Sequence, residues 1–262
     1  RSKYMPFTNQ KSILNSLNIV KFFFKKDYSF TLLKKIYSKF FDKKPKLTTE
    51  ENLAQIQKNK ISSESFIKKI NPEFFEISFK ETDEIILDAK RIQQKNNNIE
   101  LGNNYAVEVI YFLMICFKPN IVLETGVAAG LSSRCILEAI NKNNKGTLYS
   151  SDFPYFRLND PEKNIGIMVP NSLKKNWYLE ILGDEKNIQK FKKIINYVDI
   201  VIYDSDKRYI GKSNFFKSIN NLIKEDSIIV IDDIHNDSFF IEYVKEKNYK
   251  NWFIVESKRN HI

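Results

Sequence analysis

The chain has 262 residues, a formal net charge of +10 at neutral pH, and an apolar fraction of 42% in which 21 Phe and 13 Tyr supply ample area for a sizeable core. That length suits one large domain, or a domain with a helical appendage. No apolar run approaches the roughly 18 residues of a spanning helix, and no segment joins a charged start, an apolar centre and a small-residue cleavage site, which sets the expectation of a cytoplasmic protein.

The charge is uneven. Through Lys46, twelve Lys and Arg stand against Asp27 and Asp42, so the whole excess lies in the first 46 residues, while the remainder balances thirty bases against thirty acids. Within this arm Ile19 to Phe24 and Phe30 to Phe41 mix aromatics with lysines, and Leu32, Leu33, Ile36, Tyr37, Phe40 and Phe41 fall at near-helical spacing. Two amphipathic helices are expected. Such an arm can pack on its own domain or on a second subunit of a homo-oligomer, with its lysines solvated. It can also lie peripherally on an anionic membrane, through buried aromatics plus charge. Nucleic acid is the least favoured partner.

Lys43 to Lys46, with Pro45, breaks the arm, and Thr48 or Thr49 can cap a helix near Glu51 to Lys58. Further helices are expected at Ser63 to Ile70, Lys80 to Gln94 and Asn104 to Phe117, with Lys95 to Asn98 and Gly102 in the loop between the last two. Residues 1–100 thus read as a helical N-terminal region and 101–262 as a second domain. Cys116 and Cys135 sit in apolar helical contexts without metal spacing and are expected as buried thiols.

The chain is organised around Asn120 to Ser133. Ile121 to Leu123 are too few for a helix and do not alternate, as in a strand covered on both faces of a parallel sheet. Gly126 and Gly130 then let the backbone pass close to a ligand, and Cys135, Ile136, Ala139 and Ile140 mark one face of a following helix. Strand, glycine loop and helix together place a ligand at the carboxyl end of the strand. A dinucleotide loop would read GxGxxG, but Ala128 stands where its middle glycine would be. Glu124 would also repel a pyrophosphate, whereas it suits a cationic ligand.

The run LETGVAAGLSS (123–133) resembles the first motif of class I S-adenosylmethionine-dependent methyltransferases. Gly146 to Pro154 resembles their second strand, with its terminal acid at Asp152, 26 positions after Gly126. Asn176 to Asp184 resembles the third strand and adenine-side loop, Val198 to Tyr209 the fourth strand, and Ser227 to Asp237 the fifth. The resemblance covers roughly residues 101 to 257 and implies an α/β, Rossmann-like sandwich with a mostly parallel, seven-stranded-type sheet. It further implies that Glu124, Gly126, Gly130, Ser132, Asp152 and Asp184 hold S-adenosylmethionine, with Asp152 on the ribose hydroxyls. Tyr105 is placed near the methionine end of the cofactor or packed in the core. The irregular connection Phe153 to Pro170 is long enough to be functional, and a lid over the acceptor is expected. Within and beyond it, Gly166 to Trp177 resembles a GxxVPxxLxxxW pattern of a subgroup of bacterial methyltransferases.

Asp204 closes one apolar strand, and Asp232 and Asp233 close the next. Adjacent parallel strands would bring the three carboxylates together, where they repel one another unless a cation sits between them; oxygen ligands suit Mg²⁺ or another hard divalent ion. Catechol and macrolide-sugar O-methyltransferases, which this region resembles, hold a metal with acids at these positions and place a base three residues after the first. Lys207 occupies that place, where the bacterial relatives usually carry His. A lysine titrates near 10.4, so either burial must lower its pKa or the metal must acidify the acceptor hydroxyl. His235 is an alternative base. Other readings remain open: Asp232 as a helix cap, Asp233 as a solvated loop acid, and Lys207 paired with Asp206. The resemblance implies an O-methyltransferase acting on a small hydroxylated acceptor, a sugar or glycan precursor in preference to a catechol; the alternative is a cofactor-binding subunit or scaffold acting through its basic arm.

Such folds close with an antiparallel hairpin, and Trp252 to Glu256 fits its first strand, with the second expected where the sequence ends at Ile262. Together with the absence of Met at position 1, this sets the expectation of a fragment of a longer protein.

Overall fold

The structure, a computed structural model, describes residues 20, 22–41, 49–96, 106–156, 158, 160–235 and 237–257. Gly102, Tyr105 and the break at Lys43 to Lys46 lie outside them. Helix α1 spans Lys26–Phe41, α2 Glu50–Lys58, α3 Ser63–Ile70, α4 Phe75–Lys95, α5 Val107–Phe117 and α6 Leu131–Asn143. After the short α7 (Pro161–Asn164) come α8 (Asp184–Phe191), α9 (Tyr209–Ile219) and α10 (Phe239–Glu246). Thr49 caps α2 by accepting the Asn52 N–H, and Ser62 caps α3 by accepting that of Ser65.

The strands are β1 (Lys60–Ser62), β2 (Ile121–Thr125), β3 (Thr147–Ser151), β4 (Trp177–Glu180), β5 (Val198–Tyr203), β6 (Ile223–Ile231) and β7 (Ile254–Glu256). Five of them form a wholly parallel sheet in the order β4-β3-β2-β5-β6. The chain winds outward from β2 in one direction and from β5 in the other, so a crevice opens at their carboxyl ends. Sequence reasoning expects Trp252 to Glu256 to extend this sheet. Instead β7 pairs with β1, in parallel, and the five-stranded sheet ends at β6 among the described residues. A cleft of about 1530 Å³ runs along the outer edge of β6, between it and β7, lined by Val109, Ile110, Leu113, Ile228, Val230 and Val255 among others.

Both sheet faces are covered, which is why the strands lack polar alternation. Val122, Leu148, Ile200 and Ile202 point into one core with α4, α5 and α6. Their neighbours Leu123, Tyr149, Val201 and Tyr203 point into the other, against α8, α9 and α10. Helix α4 of the N-terminal region packs in the first of these cores, and its Asp88 pairs with the buried Arg134 of α6 at 2.7 Å. Cys135 is buried and Cys116 partly so, and both thiols are free.

The connection from Phe153 to Pro170 is fastened at both ends. Phe153 and Phe156 pack with Tyr28 and Leu32 of α1. At the other end Gly166 and Met168 donate their N–H groups to the carbonyls of Ala128 and Ala129, both at 2.9 Å. Gly166 has a φ of +68°, and a Cβ there would lie 2.2 Å from the Trp177 ring. The two ends of the GIMVPNSLKKNW run are thus mutually required: only glycine leaves room for the indole.

Candidate functional site

Four main-chain hydrogen bonds carry the sheet past its strand ends. Asp152 donates to Glu180, Gly126 to Ser151, Asp204 to Thr125 and Asp232 to Tyr203, at 2.9 to 3.1 Å. The residue just beyond each of β2, β3, β5 and β6 is thereby fixed in one row along the crevice. Gly126, at φ +82°, sits where a Cβ would lie 2.0 Å from the Asp204 carbonyl oxygen. A larger residue would push the glycine loop and the acidic loop apart.

Ala128, at φ +51°, occupies the left-handed conformation that a glycine would adopt without cost. Two bonds hold it there: its N–H donates to Asp152 Oδ2 at 2.7 Å, and its carbonyl accepts from Gly166. Asp152 Oδ1 accepts the Phe153 N–H at 2.6 Å. The expected ribose ligand therefore also ties the glycine loop to β3. Gly130 begins α6 and backs directly onto Gly166.

Glu124 is buried beneath the loop. Its oxygens accept from Ser132 and Ser133, both at 2.6 Å, and from Ser150 at 2.7 Å, while the Trp177 indole donates to Ser150 Oγ at 2.8 Å. Burial pushes its pKa upward against these three hydroxyls. Glu124 and Ser132 thus form a polar strut under the loop, which ties in the Gly166–Trp177 run. Asp184, at the start of α8, accepts from Ser151 at 2.6 Å and from Ser205 at 2.5 Å. Asn187 is fully buried beside it, donating to Ser151 Oγ and to the Glu180 carbonyl while accepting from the Leu182 N–H.

Asp204, Asp232 and Asp233 converge: one carboxylate oxygen from each lies within 4.8 Å of the others. Asp204 Oδ1 is buried without a hydrogen-bond partner. Burial, aided by the charges of Asp232 and Asp233 and opposed by Lys207, pushes Asp204 up to about 8. Asp232 is raised too, chiefly by burial. A cluster with an orphaned oxygen and frustrated ionisation fits a hard divalent cation. Lys207, a largely exposed side chain, reaches into the cluster, contacting Asp233 Oδ2 and approaching Asp204 Oδ1 at 3.9 Å. Burial lowers its pKa, but the Asp233 hydrogen bond and the charges of all three acids outweigh that and leave it raised. Asp206 pairs instead with Arg208, at 2.6 Å, and His235 is exposed on the rim.

One element of the site escapes motif reasoning. Lys212 is 1% exposed and pairs with Asp237, 4% exposed, at 3.1 Å; the same ammonium donates to the Asp233 carbonyl at 2.8 Å. Asp233 is held there at φ +49°, uncommon outside glycine. Asp237, rather than Asp232, accepts the N–H of Phe239, the first residue of α10, at 2.8 Å. The signal was present: Lys212 shares a helical face with Phe216 and Ile219, both buried. Asn187, beside Ile188 and Phe191, is marked the same way.

Residues 123–234 match a family model described as a methyltransferase domain. The match begins in β2 and contains every expected site residue but His235. Over that span the chain is similar to a methyltransferase domain. No curated protein sequence matches the chain. Among solved structures it is similar to an O-methyltransferase of Bacillus cereus in complex with S-adenosylhomocysteine, at 14% identity over 55% of this chain and 64% of that one, with a TM-score of 0.45. An S-adenosylhomocysteine-bound methyltransferase of Podospora anserina gives 14%, 62%, 71% and 0.44. An S-adenosylmethionine-bound O-methyltransferase of Streptomyces achromogenes, involved in tomaymycin synthesis, gives 13%, 64%, 71% and 0.45.

Two outcomes follow for the acidic loop. Removing one partner of the buried pair, in Lys212→Met, leaves Asp237 uncompensated and is expected to cost about 3–5 kcal/mol in urea unfolding; a loss under about 1 kcal/mol would show that the pair is not closed. Burial and the neighbouring acids raise the pKa of folded Asp204 from the 3.8 of an ordinary aspartate toward about 8. The folded state therefore binds more protons across that window, and this group's contribution to stability falls as pH rises through it. Urea midpoints without divalent ions should show that fall in the native chain and a shallower one in Asp204→Asn, which keeps Asp232.

Proposed function

We propose that the chain transfers the methyl group of S-adenosylmethionine to a hydroxyl oxygen of a small acceptor, a sugar or glycan precursor, with a divalent cation assisting. The observation that carries this reading is the cluster of Asp204, Asp232 and Asp233, set one strand from the glycine loop by the Asp204–Thr125 bond. Glu124, Gly126, Gly130, Ser132, Asp152 and Asp184 form the cofactor side, partly as direct ligands and partly as the strut below them. Asp204, Asp232 and Asp233 form the metal side.

Methyl transfer from a sulfonium is an in-line displacement that needs positioning and removal of the acceptor proton. A divalent ion, when bound, lowers the pKa of a coordinated hydroxyl. Lys207 lies at the same edge but is an ammonium while Asp233 and Asp204 hold it. It can take a proton only after giving up those contacts; until then it balances the acids' charge. His235 offers a second base at the rim.

Calorimetric titration with S-adenosylhomocysteine separates the two halves of the site. Asp152→Ala should weaken binding about tenfold to a hundredfold, because a charged hydrogen-bond acceptor is lost. Asp232→Ala should bind as the native chain does but lose Mg²⁺-stimulated turnover in a screen of hydroxylated acceptors. Failure of the native chain to bind S-adenosylhomocysteine, with or without Mg²⁺, would refute the proposal.

A further inference from the structure

Helix α1 is apolar on two opposite faces, and only one of them is buried by the fold. On the inner side Tyr28 and Leu32 are buried with Phe22 and Phe156, the Phe22 and Phe156 rings stacking at 4.6 Å. Thr31 Oγ1 donates to the Leu182 carbonyl at 3.1 Å, and Lys34 pairs with Glu185. The helix is therefore seated on the domain in one orientation. On the outer side Phe30, Leu33 and Tyr37, spaced i, i+3, i+7, are 59%, 51% and 64% exposed. Phe24, 81% exposed, and Val20, 53% exposed, precede the helix in the chain. Phe30 meets the Lys186 ammonium 6.0 Å from its ring centroid, yet Phe30, Leu33 and Tyr37 all stay more than half exposed, large apolar side chains held outward in a row.

The charge of the same segment selects the partner. Residues 1–46 carry the chain's entire net charge of +10. Two such arms meeting face to face would repel, which disfavours a second copy. Nucleic acid would use the aromatics as stacking platforms but has no use for Leu33 and Val20. A bilayer with anionic headgroups satisfies both properties, since apolar side chains enter the headgroup boundary while lysines gain from the surface potential. We infer that the outer face of α1 docks the protein peripherally on an anionic lipid surface. No helix among the described residues is long and apolar enough to cross a membrane, so the contact is interfacial.

Co-sedimentation of the full chain with vesicles tests this without reference to catalysis. Vesicles of phosphatidylcholine alone are compared with vesicles containing about 30 mol% phosphatidylglycerol, at low salt and at about 0.5 M salt. The native chain should bind the anionic vesicles about tenfold more tightly or better, and high salt should weaken that binding. The triple variant Phe30→Ser, Leu33→Ser, Tyr37→Ser should lose about tenfold in binding while melting by circular dichroism as the native chain does. Should the triple variant misfold, Phe30→Ser alone serves, with a smaller loss expected. Equal binding to both vesicle types, no binding to either, a variant that binds as well as the native chain, or a native dimer that the variant turns into a monomer would each overturn the inference.

Discussion

The site depends on four main-chain hydrogen bonds that extend a parallel sheet by one residue beyond its strands. A ladder is stiff because each N–H and C=O is committed, and residues just past the strand ends inherit that stiffness only while the ladder continues. Here it continues at Gly126, Asp152, Asp204 and Asp232. Cofactor-side and acid-side residues are thereby set in one row by the backbone. The closeness has a steric condition: Gly126 must lack a Cβ, because the Asp204 carbonyl occupies that space.

Buried polar groups brace this row from below, and each would be costly unpaired. Glu124 is satisfied by three serine hydroxyls, Asn187 by the carbonyl and amide groups of the β4–α8 turn, and Lys212 by Asp237 and the Asp233 carbonyl. A network of this kind holds one geometry because any shift strands a polar atom in a low-dielectric interior. The acidic cluster is the exception. Asp204 keeps a buried oxygen without a hydrogen bond, and Lys207 neutralises the group only from the exposed side. The contrast between these three satisfied braces and the cluster's orphaned oxygen is one that a bound cation would resolve.

Much of this was legible in the sequence. Ile121 to Leu123 read as a doubly covered strand because both neighbouring faces are apolar, and the structure buries Val122 and Leu123 in different cores. The three aspartates could be brought together on paper because parallel strands align their ends. The pairing of β7 with β1 was not legible: three-residue strands carry little pattern, and Lys60 to Ser62 looks like the gap between two helices. Nor was the second duty of Asp152, since a bond from a carboxylate to the Ala128 N–H depends on the loop's left-handed turn, which an alanine does not announce. The Lys212–Asp237 pair lay in plain view as a lysine on an apolar helical face, but a motif search passes over it.

The central claim is that the three aspartates form a divalent-cation site beside a cofactor loop. The most direct measurement is an anomalous difference map from crystals grown with Mn²⁺ and S-adenosylhomocysteine. The account predicts one strong peak among Asp204, Asp232 and Asp233, with Lys207 displaced from Asp233 and ligand density over Gly126. A map with no peak there, and with Lys207 still seated between the carboxylates, would contradict it.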